Sequence, residues 1–142
     1  MTQLRILFPA FAMVLLTIVV WLRMYYVRIS EARRHGIKIE DFTPFNRNLP
    51  RTIVTSGDNL RNLFELPVLF YTLVILIFVL RLSDELYLAL GWGYFALRCV
   101  HSFIHVTYNR IAHRFTVYAL SSLLLWAMWL RLMGQVFGGL GA

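Results

Sequence analysis

Four apolar stretches of roughly twenty residues recur in this chain, the length a helix needs to cross the ~30 Å hydrocarbon core of a bilayer. They lie at about 6–27, 62–82, 86–108 and 115–133 of the 142 residues. Inside a bilayer each backbone amide must find its partner within its own segment, which leaves helices or a closed barrel. The expectation is an all-α membrane protein, a four-transmembrane-helix bundle forming one domain over 1–142. Composition agrees, because 59% of residues are hydrophobic and 15% charged, with a mean hydropathy of +0.65. Soluble domains do not reach that balance.

The first stretch is longer than the ~7–15 apolar residues of a cleaved signal, and it ends in Trp21, Tyr25 and Tyr26, so it reads as a retained span. Pro9 falls in its first turn, where a missing N–H does little harm. The segment at about 28–61 is the long polar connection. It carries Arg28, Arg33, Arg34, Lys38, Arg47, Arg51 and Arg61, with Pro44, Pro50 and Gly57 as breakers and Asn46 and Asn48 between them. Its first part, to His35, is a candidate for continuing the first helix. Thr55, Ser56 and Asp58 offer capping oxygens for the second, and the glycine-rich 134–142 reads as a frayed tail.

Net charge is +7, and of 14 basic residues only Lys38 is lysine. In a membrane chain this excess records topology, not nucleic-acid binding. The long connection and the turn at 109–114 are basic, whereas the turn after the second span carries Asp84 and Glu85. The positive-inside rule therefore places the long loop in the cytoplasm and both termini outside. Cys99 is the single cysteine, which excludes an internal disulfide and any cysteine-built metal centre.

Polar side chains in the spans mark the candidate sites. At helical spacing Tyr94, Arg98, His101, His105 and Tyr108 fall within roughly 80° of one another. That stripe is a metal pair, a packing seam between helices, or the wall of a wet cleft for an anionic small molecule. No third metal ligand is evident, and no metal site is assigned. Asp58, Arg61, Asn62 and Glu65 share an arc of about 100° at the entrance to span two, just before Pro67. Glu65 either faces a ligand beside Asn62 or pairs with an arginine of the third or fourth span. Arg110 and Arg114 stand four apart at a helix boundary, with Tyr118 one turn on; guanidinium forks there bind carboxylates, phosphates or lipid headgroups.

Arg61-Asn62-x-x-Glu65-x-Pro67, Arg98-x-x-His101 and Arg110-x-x-x-Arg114-x-x-x-Tyr118, in this order along four spans, resemble the MAPEG family, the membrane-associated proteins in eicosanoid and glutathione metabolism. The likeness covers nearly the whole chain. It implies a homotrimer that binds glutathione between subunits near the cytoplasmic face. Asn62 and Glu65 would hold the tripeptide's polar ends, Arg110 would contact its carboxylate, Tyr118 would line the pocket and Arg114 would stabilise the thiolate. Asp58 stands where glutathione-using members commonly have arginine, and His105 where a tyrosine typically helps bind the tripeptide, which marks a divergent member.

The function this implies is a glutathione-dependent transferase or peroxidase acting on lipophilic electrophiles, in a bacterial inner membrane. The rival is a non-catalytic membrane protein that binds an anionic lipid or metabolite in the inter-subunit clefts. A proton-coupled transporter built on Glu65 and the histidines is disfavoured, because four spans leave little room for alternating access. Expected partners are a second and third copy of the chain, membrane lipids and a lipophilic small molecule.

Overall fold

A computed structural model describes residues 2–43 and 48–139. Its helices are α1 (Thr2–Arg5), α2 (Leu7–His35), α3 (Arg51–Asn62), α4 (Leu66–Val79), α5 (Glu85–Val106) and α6 (Ile111–Gly139), with one 3₁₀ turn at Ile39–Asp41. Three helical stretches, Gln3–His35, Arg51–Val79 and Ile111–Gly139, are long and apolar enough to cross a membrane. α5 has 22 residues, sufficient length to join them, and differs in carrying the polar stripe on its inward face. The fold is an all-helical membrane bundle of four rods, α1–α2, α3–α4, α5 and α6.

Burial is arranged as a membrane demands. Phe11, Leu15 and Val19 on α2 and Leu123 and Leu130 on α6 are exposed, which in lipid is their favourable side. The interior holds Met13 and Val20 of α2, Phe70, Leu73 and Ile77 of α4, Tyr87 and Tyr94 of α5, and Leu125 and Met128 of α6. The Phe70 and Tyr94 rings stack with centroids 4.5 Å apart. One turn away Gly91 lets α2 come close: a β-carbon there would stand 3.3 Å from Pro9 Cγ.

The first helix continues to His35 as the sequence suggests, and the far end of the expected loop, from Arg51, is helical as well. α2 runs to His35 and stops at Gly36, which takes the left-handed φ of 64° that glycine adopts without penalty. Arg33, Arg34 and His35 fill its last turn, where cations complement the helix dipole. α3 starts at Arg51, after Pro50. Thr55 and Ser56, expected as caps, instead bond back to the Thr52 and Ile53 carbonyls at 3.2 and 2.8 Å. Gly57 is no breaker; it lies inside α3 and lets Arg28 of α2 pass, since a β-carbon would stand 3.3 Å from its Nη2. Pro44, Asn46 and Arg47 lie outside the described residues.

Span two is not one continuous helix. α3 ends at Asn62, residues 63–65 turn, and Pro67 sits in the first turn of α4. Proline lacks the N–H that would carry the ladder through this point. α6 extends past the expected end of span four to Gly139, so 134–139 are helix and not a frayed tail.

At the other end of the bundle Asp84 caps α5, its Oδ1 accepting from the Tyr87 N–H at 2.9 Å. Arg131 of α6 forks onto the same carboxylate, with Nη1 at 2.9 Å from Oδ1 and Nη2 on Oδ2. Its guanidinium lies 4.1 Å over the Tyr87 ring, and Tyr87 donates to Gln135 at 2.7 Å. One carboxylate thus joins the start of α5 to the end of α6.

Candidate functional site

The break between α3 and α4 frees backbone carbonyls inside the bundle, and α5 supplies a donor. Arg98 is fully buried and donates through Nη2 to the Asn62 carbonyl. Its guanidinium carbon lies 5.4 Å from the centre of the Tyr118 ring on α6. Nε and Nη1 have no partner among the described residues. A buried arginine held by one neutral carbonyl and one aromatic face leaves its charge largely uncompensated. That raises the positive potential of its surroundings.

One and two turns further along α5, His101 and His105 are also buried, with ring centroids 5.7 Å apart. The His101 ring stands 5.8 Å from that of Tyr118. His105 faces Arg114: Nη1 of the arginine is 3.0 Å from His105 Nε2 and 3.0 Å from Asn109 Oδ1. Arginine can only donate, so His105 Nε2 is the acceptor and the ring is the neutral form protonated on Nδ1. Both bonds use Nη1, leaving Nη2 for a ligand.

Asn109 reaches this position through its backbone. Its φ is 46° and its N–H closes the end of α5 on the Ile104 carbonyl at 2.8 Å. Asparagine tolerates the left-handed region, so the residue that turns the chain into α6 also fixes its arginine.

Asn62, His101, Ile111, Arg114, Phe115 and Tyr118 line a cleft of about 210 Å³. Its polar groups come from α3, α5 and α6, while Ile111 and Phe115 on the rim are exposed. Of the residues singled out in the sequence, the structure brings Asn62, Arg114 and Tyr118 into the wall, with His105 directly behind Arg114. Glu65 is exposed in the turn before α4 and forms no ion pair with a described residue, neither with Arg98 nor with Arg114. Arg110 is exposed and points no side-chain bond at the cleft; its carbonyl accepts from the Arg114 N–H at 3.0 Å. Asn62 commits its amide Nδ2 to the Asp58 carbonyl at 2.9 Å, which leaves its Oδ1 toward a ligand. His101, a member of the stripe offered as the wall of a wet cleft, also lines this one, whereas Asn109 was not singled out and carried only the signal of an asparagine at a helix end.

The lining is cationic and rich in hydrogen-bonding groups: the remaining guanidinium edge of Arg114, the Asn62 amide oxygen as an acceptor, an imidazole and a phenol within one concavity. It fits an anion with a polar backbone. A volume of about 210 Å³ is below the ~300–1,000 Å³ of clefts that enclose a small organic ligand. The model of the MAPEG family matches residues 6–134 of the chain. No curated protein and no solved structure matches it.

Proposed function

The chain belongs to the MAPEG family, and from that premise we propose that it is a glutathione-dependent transferase or peroxidase acting on lipophilic electrophiles at the membrane, with Arg114 stabilising the thiolate. The observation that carries this reading is the mounting of Arg114, whose Nη1 is held at 3.0 Å by both His105 Nε2 and Asn109 Oδ1 on the wall of a cleft. A free cysteine thiol titrates near 8.5, and a fixed guanidinium beside it favours the thiolate, the attacking form. Fixing the cation in advance means little reorganisation as charge develops.

Asn62 Oδ1 and Tyr118 orient the peptide portion, and the buried charge of Arg98 adds to the field. Glu65, exposed in the turn before α4, takes the cationic amine. Since one copy supplies a concavity smaller than a tripeptide needs, the site is completed by a neighbouring copy in a homotrimer, with the exposed rim of Ile111 and Phe115 covered in the assembly. The long connection and the turn at 107–110 then lie on the cytoplasmic side of a bacterial inner membrane, as the arginine distribution favours.

The alternative, a non-catalytic protein that holds an anionic lipid or metabolite in the same cleft, is favoured by Asn62, whose amide is already spent on Asp58, and by Arg110, which stands away from the wall. Titration calorimetry with glutathione and a conjugation assay with a chloronitrobenzene separate the two. The enzyme reading expects saturable binding and a rate that falls about 10²–10³-fold in Arg114→Ala. Absence of saturable binding, with Arg114→Ala indistinguishable from wild type, rejects it.

A further inference from the structure

α4 is 14 residues long, so its far end lies about 20 Å from the cleft. There a second concavity, a groove of about 560 Å³, is lined by Gln3, Leu4, Phe78, Val79 and Arg81. Gln3 donates its side-chain amide to the Phe78 carbonyl, which lays α1 across the end of α4. Leu4 and Val79 are exposed apolar walls. The groove's volume falls within the range of sites that hold small organic ligands.

Arg81 is the unusual residue. It closes α4 in the left-handed conformation, φ 58°, with its N–H on the Phe78 carbonyl at 3.2 Å and the next N–H, of Leu82, on the Ile77 carbonyl at 3.0 Å. This two-bond ending favours glycine, because a β-carbon is strained there. The chain accepts that strain and places a guanidinium at the groove. The neighbouring acids are engaged elsewhere: Asp84 holds Arg131, and Glu85 faces Arg5 at 4.0 Å. Arg81 has no acidic partner among the described residues.

We propose that this groove binds an anionic phospholipid, with the Arg81 guanidinium forking onto the phosphate and Leu4 and Val79 lying against the first carbons of the acyl chains. Apolar walls that end in an unpaired cation at the membrane boundary match an amphiphile with an anionic head, and arginine's planar fork suits a phosphate better than a lysine point charge. The inference is independent of thiol chemistry, because no residue of the cleft takes part.

Native mass spectrometry of the full chain, released from detergent with added phosphatidylglycerol or phosphatidylcholine, tests it. Wild type is expected to retain one phosphatidylglycerol per chain in preference to phosphatidylcholine. Arg81→Gly takes the left-handed turn without penalty, so its unfolding temperature in lipid-free detergent should not fall. Its retention of that phosphatidylglycerol should weaken about fivefold, the effect of one cation near an anionic headgroup. Arg81→Lys should keep part of it, and Arg33→Gln, at the other end of α2, all of it. If Arg81→Gly does not purify folded, Leu4→Trp, which fills the groove, decides by the same reading. An arginine that merely reaches toward water predicts unchanged retention in the variant, and that result overturns the proposal. So does equal retention of the two lipids by the wild type.

Discussion

The buried guanidinium of Arg98 donates to the backbone carbonyl of Asn62, across the break where Pro67 interrupts the second span. A defect in one helix and a charge in another thereby satisfy each other. A free carbonyl in a membrane interior and an arginine without a partner are each costly alone. Together they fix where α3 ends relative to α5, and so where Asn62 faces Tyr118 and Arg114.

Arg114 depends on its two acceptors. His105→Phe removes one of them and should loosen the guanidinium without unfolding the bundle. The expected outcome is a roughly five- to tenfold loss in kcat/KM for thiol conjugation, the worth of about 1–1.4 kcal/mol. His105→Gln, which keeps an acceptor, should recover part of the rate. Steady-state kinetics beside a thermal scan separates this from a general loss of stability.

Asp58 and His105 should tune affinity for the tripeptide. Asp58→Arg exchanges a negative for a positive charge one helical turn before Asn62 and also ends the 4.0 Å Asp58–Arg61 contact. Combined with His105→Tyr, it should tighten glutathione binding about tenfold or more, roughly the worth of one charge-assisted bond. Calorimetry reads the change directly. A double variant no tighter than wild type would show that these two positions do not limit binding.

Asp84 sets a limit at low pH. The hydrogen bonds from Arg131 hold its carboxyl below the ordinary value, with the Tyr87 N–H assisting. A depressed carboxyl stabilises the fold fully above its unfolded value near 3.9 and loses that contribution as pH falls through the lower folded value. The melting temperature should therefore be insensitive to this pair from pH 7 to about 5 and decline below about 4. Asp84→Asn should flatten that decline and cost roughly 0.5–1 kcal/mol at neutral pH, as the carboxylate is partly exposed. Asp84→Ala should cost about 1 kcal/mol more, because it also removes the cap on α5.

Gly91 governs how closely α2 approaches α5. A β-carbon would sit 3.3 and 3.4 Å from Pro9 and 3.9 Å from Phe70. Gly91→Ala should be near neutral, its mild crowding offset by better helix propensity of up to about 1 kcal/mol. Gly91→Val should lower stability by about 1–3 kcal/mol through overpacking, as thermal unfolding in detergent will report.

The helical membrane architecture was legible from the apolar runs alone, because transfer of backbone and side chains into lipid leaves few solutions. So was the inward stripe of α5: Tyr94, Arg98, His101 and His105 are all buried, while Tyr108, the stripe's last member, is exposed. Helical phase decides which residues share a face, and it is a property of local sequence. Helix ends were less legible. Thr55 and Ser56 have the chemistry of caps, yet their hydroxyls turn back onto α3, and the 51–62 segment is helical because it packs along α2.

What the sequence determined by itself was the class, the number of spans, and the polar residues that a membrane interior would have to accommodate. Which of those residues meet was decided only in three dimensions. The start of the fourth helix already sets Arg114, one turn before Tyr118, apart from Arg110 in the sequence, but only the fold carries Arg114 against His105 and Asn109 and leaves Arg110 exposed. Glu65 and Asn62 stand on one arc only if their helix is continuous. The turn before α4 breaks it, and that turn exists because Pro67 cannot continue the ladder while Arg98 is present to accept the break.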